Sequence, residues 1–177
     1  DLTEYDVIRH ALDLRGGIPL SSIVSLEAAY IFEYVELSSE MFSYSHGVGA
    51  GVTVREGKDY FTSLRYQYRH AGYGNAALYP TNSDRDGDNH LVGLTQRASF
   101  GKNLSASAGY AHDEDRAKQA WWDAKGDKGF VAIGISMPYR TSLGFYGEYY
   151  RKKYDALDPQ FTVLRDDRTT TLSATAG

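Results

Sequence analysis

Residues 90–111 read HLVGLTQRASFGKNLSASAGYA, two alternating segments joined by the tight turn Gly101-Lys102-Asn103. On both sides of the turn, one set of alternate positions is mainly apolar or aromatic, and the other is mainly Gly, Ser, Thr or Arg. Successive side chains of a strand point to opposite faces of the sheet. The stretch therefore predicts a β-hairpin with one apolar face and one polar face.

The same two-residue periodicity recurs along the whole chain, and no segment keeps its apolar residues at the helical spacing i, i+3, i+4, i+7. Segments of about nine to fourteen residues are long for strands of a soluble sheet, where about five or six residues is usual. They suit a strand that crosses a membrane at a tilt. The predicted strands are residues 4–15, 22–36, 43–55, 59–72, 88–100, 104–113, 127–137, 141–153 and 163–176.

The connections between these segments fall into two classes that alternate along the chain. Short turns are predicted at Gly16–Ser21, Glu56-Gly57-Lys58, Gly101-Lys102-Asn103 and Pro138-Tyr139-Arg140, and longer charged connections near 37–42, 73–87, 114–126 and 154–162. Outer-membrane barrels have short periplasmic turns and longer external loops, which produces this alternation. The sequence therefore predicts an all-β domain over residues 1–177, an antiparallel up-and-down transmembrane β-barrel. A soluble barrel or sandwich is the alternative.

Composition excludes several other classes of protein. The chain of 177 residues has no cysteine, so disulfides and thiolate metal sites are excluded. Its net charge of −4 gives no concentrated basic surface, and no nucleic-acid partner is expected. No G-x-S-x-G elbow, H-E-x-x-H helix or phosphate-binding P-loop occurs. The sequence thus predicts a protein that is not an enzyme and needs no cofactor.

The stretch RDDRTTTLSA at residues 165–174 resembles late strands of porin-like barrels of the Gram-negative outer-membrane superfamily. These include the barrels that follow tetratricopeptide repeats in export proteins. The resemblance implies a location in the bacterial outer membrane, with the lipid bilayer and lipopolysaccharide as surroundings. Other subunits or a periplasmic domain are further partners that it allows.

Charged residues fall on the polar positions of the predicted strands, which must face a lumen because Arg or Lys at the midplane of a barrel exterior costs about 2–4 kcal/mol. We expect a basic stripe from four arginines that would bias a channel toward anionic solutes or polymers. A salt-bridged network that only fills the barrel is the alternative. The predicted lumen-lining residues are Arg55, Arg65, Arg69, Arg97, Glu27, Glu33, Lys128 and Glu148.

The function predicted from this pattern is an outer-membrane pore or export conduit with a polar, partly basic lumen. The alternative is a closed barrel that serves as a scaffold or attachment platform through loops 73–87 and 114–126. Nine strands is an odd number, whereas bacterial single-chain barrels have an even number. We therefore expect the chain to be a segment of a barrel of ten or more strands.

Two further groups of residues are candidates for ion binding. Asp84, Asp86 and Asp88 resemble part of a calcium loop, although the bidentate Glu and flanking helices of an EF-hand are missing. An acidic turn is the main interpretation, and a weak divalent-ion site that bridges to lipopolysaccharide is the alternative. Four histidines are expected on the apolar face near the loop ends, without a carboxylate beside them, which favours interfacial placement over a metal site. They are His46, His70, His90 and His112.

Overall fold

The computed structural model describes residues 6–76, 79–138, 141–159 and 161–177 and is all-β. Within these ranges nine strands of 11 to 17 residues form one antiparallel sheet, as the periodicity predicts. The strands are β1 (Val7–Pro19), β2 (Val24–Leu37), β3 (Glu40–Glu56), β4 (Tyr60–Tyr73), β5 (Gly87–Phe100), β6 (Leu104–Ala117), β7 (Ala124–Ser136), β8 (Ser142–Tyr154) and β9 (Asp166–Ala176).

Each strand pairs with the next strand along the chain, so the sheet is a simple meander. Among the described residues β1 pairs only with β2, and β9 pairs only with β8. The sheet is therefore open at both edges. Two short 3-10 helices, Asn82–Arg85 and Ala120–Trp122, lie in the longer connections. None of the helices in the described ranges is long and apolar enough to traverse a bilayer.

The register of the strands brings residues of the same kind together on the same face. Leu94 of β5 lies opposite Leu64 of β4 and Tyr110 of β6, and these three side chains belong to what we call the apolar face. One residue earlier, Gly93 lies opposite Arg65 on the other face, which we call the polar face. Because the pairing keeps this parity from β1 to β9, the sheet has two chemically distinct faces.

The two faces differ in exposure. On the apolar face Val48, Leu94 and Val131 are 51–59% exposed, whereas Ser45 and Asp113 on the polar face are only 7–8% exposed. A flat single-layer sheet would expose both faces equally. Side chains converge on the concave side of a curved sheet, so this difference indicates that the sheet curves toward its polar face.

The described residues contain almost no hydrophobic core. Only Ala111 and Ala124 are buried apolar residues, and no large side chain is fully buried in the described ranges. A soluble sandwich covers its apolar face with a second sheet, and no second layer is present in this part of the chain. The apolar face is therefore left uncovered by the chain that the structure describes.

Two predicted connections are wrong. The predicted turn at Gly16–Ser21 is largely strand, because Gly16 and Gly17 pair with Ala28 and Glu27 and β1 continues to Pro19. The predicted long connection at 37–42 is a hairpin turn in which only Ser38 and Ser39 separate β2 from β3. Both serines have positive φ, 53° and 65°, as both central residues of a type I′ turn do. The turn at 138–140 lies partly outside the described residues.

The Ser38-Ser39 turn gives a prediction for stability. Serine in the left-handed region is strained, whereas glycine adopts positive φ at no steric cost. We expect Ser39→Gly to raise the free energy of unfolding by about 0.5–1 kcal/mol, measured by urea unfolding. As a control, Ser43→Gly in β3 should lower it, because Ser43 has ordinary strand backbone and glycine weakens a strand. Equal effects of the two changes would contradict the assignment of strain to the turn.

Gly47 in β3 is required for close approach to β4. A Cβ atom at Gly47 would lie 2.6 Å from the carbonyl oxygen of Tyr68, whereas one at Gly49 would lie 3.5 Å from its nearest atom, the carbonyl oxygen of Tyr66. We expect Gly47→Ala to destabilise the protein by about 1–3 kcal/mol through overpacking. Gly49→Ala is the matched control and should be neutral or slightly stabilising in the same unfolding experiment. If both variants unfold at the same urea concentration, the contact with the Tyr68 carbonyl oxygen does not require glycine at position 47.

Candidate functional site

All eight predicted lumen-lining residues lie on the polar face of the sheet. The register places Arg65 opposite Gly51 and Gly93, and it places Arg69 opposite Gly47 and Asn89. Small neighbours leave the arginine side chains room to extend over the polar face. The complete set on this face is Arg55, Arg65, Arg69, Arg97, Glu27, Glu33, Lys128 and Glu148.

Ion pairs neutralise part of this charge. Arg65 Nη2 lies 2.9 Å from Glu27 Oε1, and Lys128 Nζ lies 3.6 Å from Glu148 Oε2. Glu33 is also paired, with Arg9 at 2.6 Å. Exposed pairs of this kind contribute roughly 0–1 kcal/mol to stability. Their main effect is to reduce the net charge of the polar face.

The four arginines predicted to form one basic stripe have different environments. Arg55 turns toward the β3–β4 turn, where its Nε donates to the carbonyl oxygen of Gly57 at 3.0 Å and its guanidinium lies 5.7 Å from the centre of the Phe61 ring. Arg65 is paired with Glu27. Within the described part of the chain, Arg69 and Arg97 have no carboxylate within ion-pair distance. The partners of Arg55 are an uncharged carbonyl group and a ring, so the uncompensated positive charge of the stripe is on Arg55 beside the short turn and on Arg69 and Arg97 along the strands.

A second polar cluster lies at the loop end of the polar face, on β5, β6 and β8. Asn89 donates to Asp115 at 2.6 Å, and the same carboxylate forms an ion pair with Lys152. Beside it, Tyr150 donates to Asp113 at 3.1 Å. The lumen prediction missed Asp115 because the sixth strand was predicted to end at residue 113. It also omitted Asp113, although this residue is the last one of the predicted strand and has the polar parity. The structure continues β6 to Ala117, and its parity brings both carboxylates to the polar face.

The loop between β4 and β5 folds over this end of the polar face. Arg85 lies with its guanidinium 4.4 Å from the ring centre of Tyr73 and 5.0 Å from that of Trp122. The buried amide of Asn82 fixes the loop by donating to the carbonyl oxygens of Phe42 and Gly74, at 3.1 and 3.0 Å. The loop is thus held in one arrangement by its own hydrogen bonds, and Arg85 is presented between two rings.

The next aromatic contact continues this layer toward β9. Tyr154 lies edge-on to Trp122, with ring centres 6.3 Å apart, and the guanidinium of Arg165 lies 4.6 Å from the Tyr154 ring centre. A hydrogen bond to Asp167 raises the pKa of Arg165 above its usual value. Arg165 therefore stays charged at the rim of the polar face.

The predicted acidic loop residues have three different environments. Asp84 lies in a 3-10 helix, Asp86 accepts the backbone N–H of Tyr73 at 2.7 Å, and Asp88 begins the apolar face of β5. No group of three or more His, Asp or Glu side chains in the described ranges is placed to hold a metal ion. In the structure these three aspartates do not form one site.

Tyrosine, histidine and aspartate form a belt at the loop-side margin of the apolar face, which we call the Tyr–His belt. Its residues are His46, Tyr66, Tyr68, His70, Asp88, His90, Tyr110, His112 and Asp127. The expectation that no carboxylate lies beside the histidines is wrong. Asp88 lies 2.8 Å from His70 and 2.7 Å from the hydroxyl of Tyr68. Asp127 lies 2.9 Å from His112, and it also accepts the hydroxyl of Tyr110.

Comparison of the chain with protein-family models, with curated proteins and with solved structures finds no match.

Proposed function

We propose that the chain forms part of the wall of a β-barrel in a Gram-negative outer membrane, and that this barrel is a pore or export conduit. The observation that supports it best is the uncovered apolar face. Soluble monomers rarely expose apolar patches larger than a few hundred Å², whereas this face extends across all nine strands without a second layer in the described residues. Lipid tails would cover such a surface.

The order of residues along the apolar face supports contact with lipid. Aliphatic side chains such as Leu94, Ile133 and Leu172 form its central band, and the Tyr–His belt follows toward the loops. Rings with a polar tip prefer the headgroup region, and barrels carry such girdles at their interfaces. Two polar residues of this face contact each other, since the Thr62 hydroxyl lies 2.5 Å from Gln96 Oε1. The resemblance of residues 165–174 to porin-like late strands agrees with this placement.

The two edge strands, β1 and β9, each have one unpaired side among the described residues. An unpaired strand edge in hydrocarbon leaves backbone groups unsatisfied, at a cost of several kcal/mol for each group. We propose that further strands pair with β1 and β9, either from the same polypeptide or from other copies. The even-number rule then gives a barrel of ten or more strands.

The polar face supports a conduit that favours anions. The guanidinium groups of Arg69 and Arg97 have no carboxylate partner within ion-pair distance in the described chain, so they would leave a net positive potential on the lumen wall. Charged side chains that line a pore set its selectivity. The ion pair of Arg65 with Glu27 contributes little to this potential, because its charges cancel.

The rival function is a closed barrel that acts as a scaffold or attachment platform through loops 73–87 and 114–126. The ion pairs of the polar face favour it, because Lys128–Glu148 and Lys152–Asp115 fill the face with compensated charge. The folded loop that carries Arg85 also narrows the loop end of this face.

Planar-bilayer conductance separates the two functions. The full protein, purified in detergent and inserted into a bilayer, should give stepwise conductance with a reversal potential that favours anions under a salt gradient. Protein that is shown to be inserted but never conducts would contradict the conduit and support the scaffold. Insertion must be established independently, by protection of the strands from an added protease.

A further inference from the structure

A cavity at the loop end of the polar face is lined by three arginines, one lysine, two aspartates and three aromatic rings. Its lining includes Arg69, Arg85, Tyr73, Trp122, Tyr154 and Lys152, and its volume is about 120 Å³. A volume of this size holds several water molecules, so it can hold a carboxylate or phosphate group. Whether it would bind an anion depends on how much of its positive charge is neutralised by neighbouring carboxylates.

The positive charges of the cavity are unequally compensated. Lys152 is paired with Asp115, which also accepts a hydrogen bond from Asn89. Arg69 and Arg85 have no carboxylate within ion-pair distance in the ranges that the structure describes. The other two charged lining residues are also paired, Arg116 with Glu114 and Asp88 with His70. The cavity therefore offers two guanidinium groups, those of Arg69 and Arg85, whose charge is available to an anion.

The two arginines are also prepared for a ligand. Arg69 Nε is buried and has no hydrogen-bond partner in the described chain, and an unsatisfied buried donor of this kind costs free energy. A small movement of the side chain that lets Nε donate to a ligand oxygen would recover that free energy. Arg85 is held between the rings of Tyr73 and Trp122, with a further hydrogen bond of 3.4 Å to Asn82. Fixing the guanidinium in advance reduces the conformational entropy lost on binding.

We propose that this cavity is an anion-binding site at the loop-side entrance of the pore, which takes one carboxylate or phosphate group of a solute. Guanidinium groups bind both anions through charge-assisted hydrogen bonds. The role as an entrance rests on the proposed pore, whereas the binding of an anion does not depend on conduction.

Intrinsic fluorescence can report binding, because the chain has only two tryptophans, Trp121 and Trp122. In a Trp121→Phe background the emission comes from Trp122, which lines the cavity. The purified protein in detergent is titrated with sodium phosphate, sodium galacturonate or neutral galactose, at constant ionic strength maintained with chloride. Phosphate or galacturonate should change the emission saturably, and galactose should not. The tighter of the two anions identifies the source of the group.

Substitutions locate the site. Arg85→Gln and Arg69→Gln should each weaken anion binding roughly tenfold or more, because each removes a charged hydrogen-bond donor. Arg85→Gln lies in a loop and so is the safer variant if Arg69→Gln folds poorly, which circular dichroism of the strand signal would show. Arg97→Gln is the matched control, on the same face and also without a carboxylate partner, but outside this cavity. It should leave the affinity unchanged.

Two results would overturn the proposal. One is the absence of a saturable response to either anion. The other is an equal loss of affinity in Arg97→Gln, which would show that the anions respond to the general charge of the face. If an anion binds to a protein that never conducts, the proposed pore is contradicted and the proposed anion site is supported. The two proposals can therefore fail separately.

Discussion

Leu94→Arg should prevent stable insertion of the protein into lipid vesicles, whereas Leu104→Arg should have little effect. Both leucines lie on the apolar face, but Leu94 is in the middle of β5 and Leu104 is the first residue of β6, next to the short turn. Arg at the midplane of a barrel exterior costs about 2–4 kcal/mol, and the cost falls to about 0–1 kcal/mol near the interface. The cause is the loss of water around the guanidinium in hydrocarbon.

Urea titration of folding into vesicles, followed by tryptophan fluorescence, measures this difference. Leu91→Arg supplies a second control, because Leu91 lies on the polar face of the same strand. It should insert nearly as well as the unchanged protein. Similar destabilisation by Leu91→Arg and Leu94→Arg would mean that the face of the sheet does not matter, and lipid contact with the apolar face would be excluded.

The second large effect is expected in ion selectivity. Replacing both Arg69 and Arg97 by Glu should turn an anion preference into a cation preference, because these two guanidinium groups carry the uncompensated charge of the stripe apart from Arg55, which turns toward the short turn. The matched control is the double change of Lys125 and Arg168 to Glu. It alters the net charge equally, but at exposed positions at the loop end of the apolar face.

Reversal potentials in planar bilayers measure the preference. The control pair should shift the reversal potential much less than the Arg69 and Arg97 pair, and the effect of both should fall as salt is raised, because screening shortens the range of surface charge. An unchanged preference in the Arg69 and Arg97 variant would exclude these residues from the conducting path.

The two-residue periodicity was sufficient to predict the number of strands, their order and their faces. This is because parity depends only on sequence: once Leu94 is assigned to the apolar face, Val92 and Ala98 follow. The same reasoning could have found the carboxylates of the Tyr–His belt. Asp88 and Asp127 lay within predicted strands, at positions of the same parity as the apolar residues.

Other features depend on information that parity does not contain. The turn at Ser38-Ser39 uses serine where glycine or asparagine is the usual signal, so no local pattern indicated it. Glycine normally marks a turn, yet Gly16 and Gly17 lie in a paired strand, because the register with β2 outweighs local preference. The pairing of Arg65 with Glu27 requires the register between strands that are far apart in sequence.

The loop end of the polar face was the least predictable region. Arg85 reaches the Tyr73 and Trp122 rings only because the loop folds back through Asn82, whose partners are backbone groups of two separate segments. Backbone carbonyl groups are present at every residue and leave no sequence signal. The anion-binding cavity therefore emerges from the structure alone.

A single-cysteine scan of β5 in lipid vesicles tests the central proposal most directly, and it needs no background mutation because the chain has no cysteine. Each residue from 90 to 100 is replaced in turn and labelled with a nitroxide, and its accessibility to oxygen and to a water-soluble nickel complex is measured. If β5 is part of a barrel wall in the membrane, accessibility should alternate with a two-residue period. Oxygen should be favoured at Val92, Leu94 and Ala98, and the nickel complex at Thr95 and Arg97. Accessibility to the nickel complex that is high at Leu94, or that shows no period along β5, would contradict it.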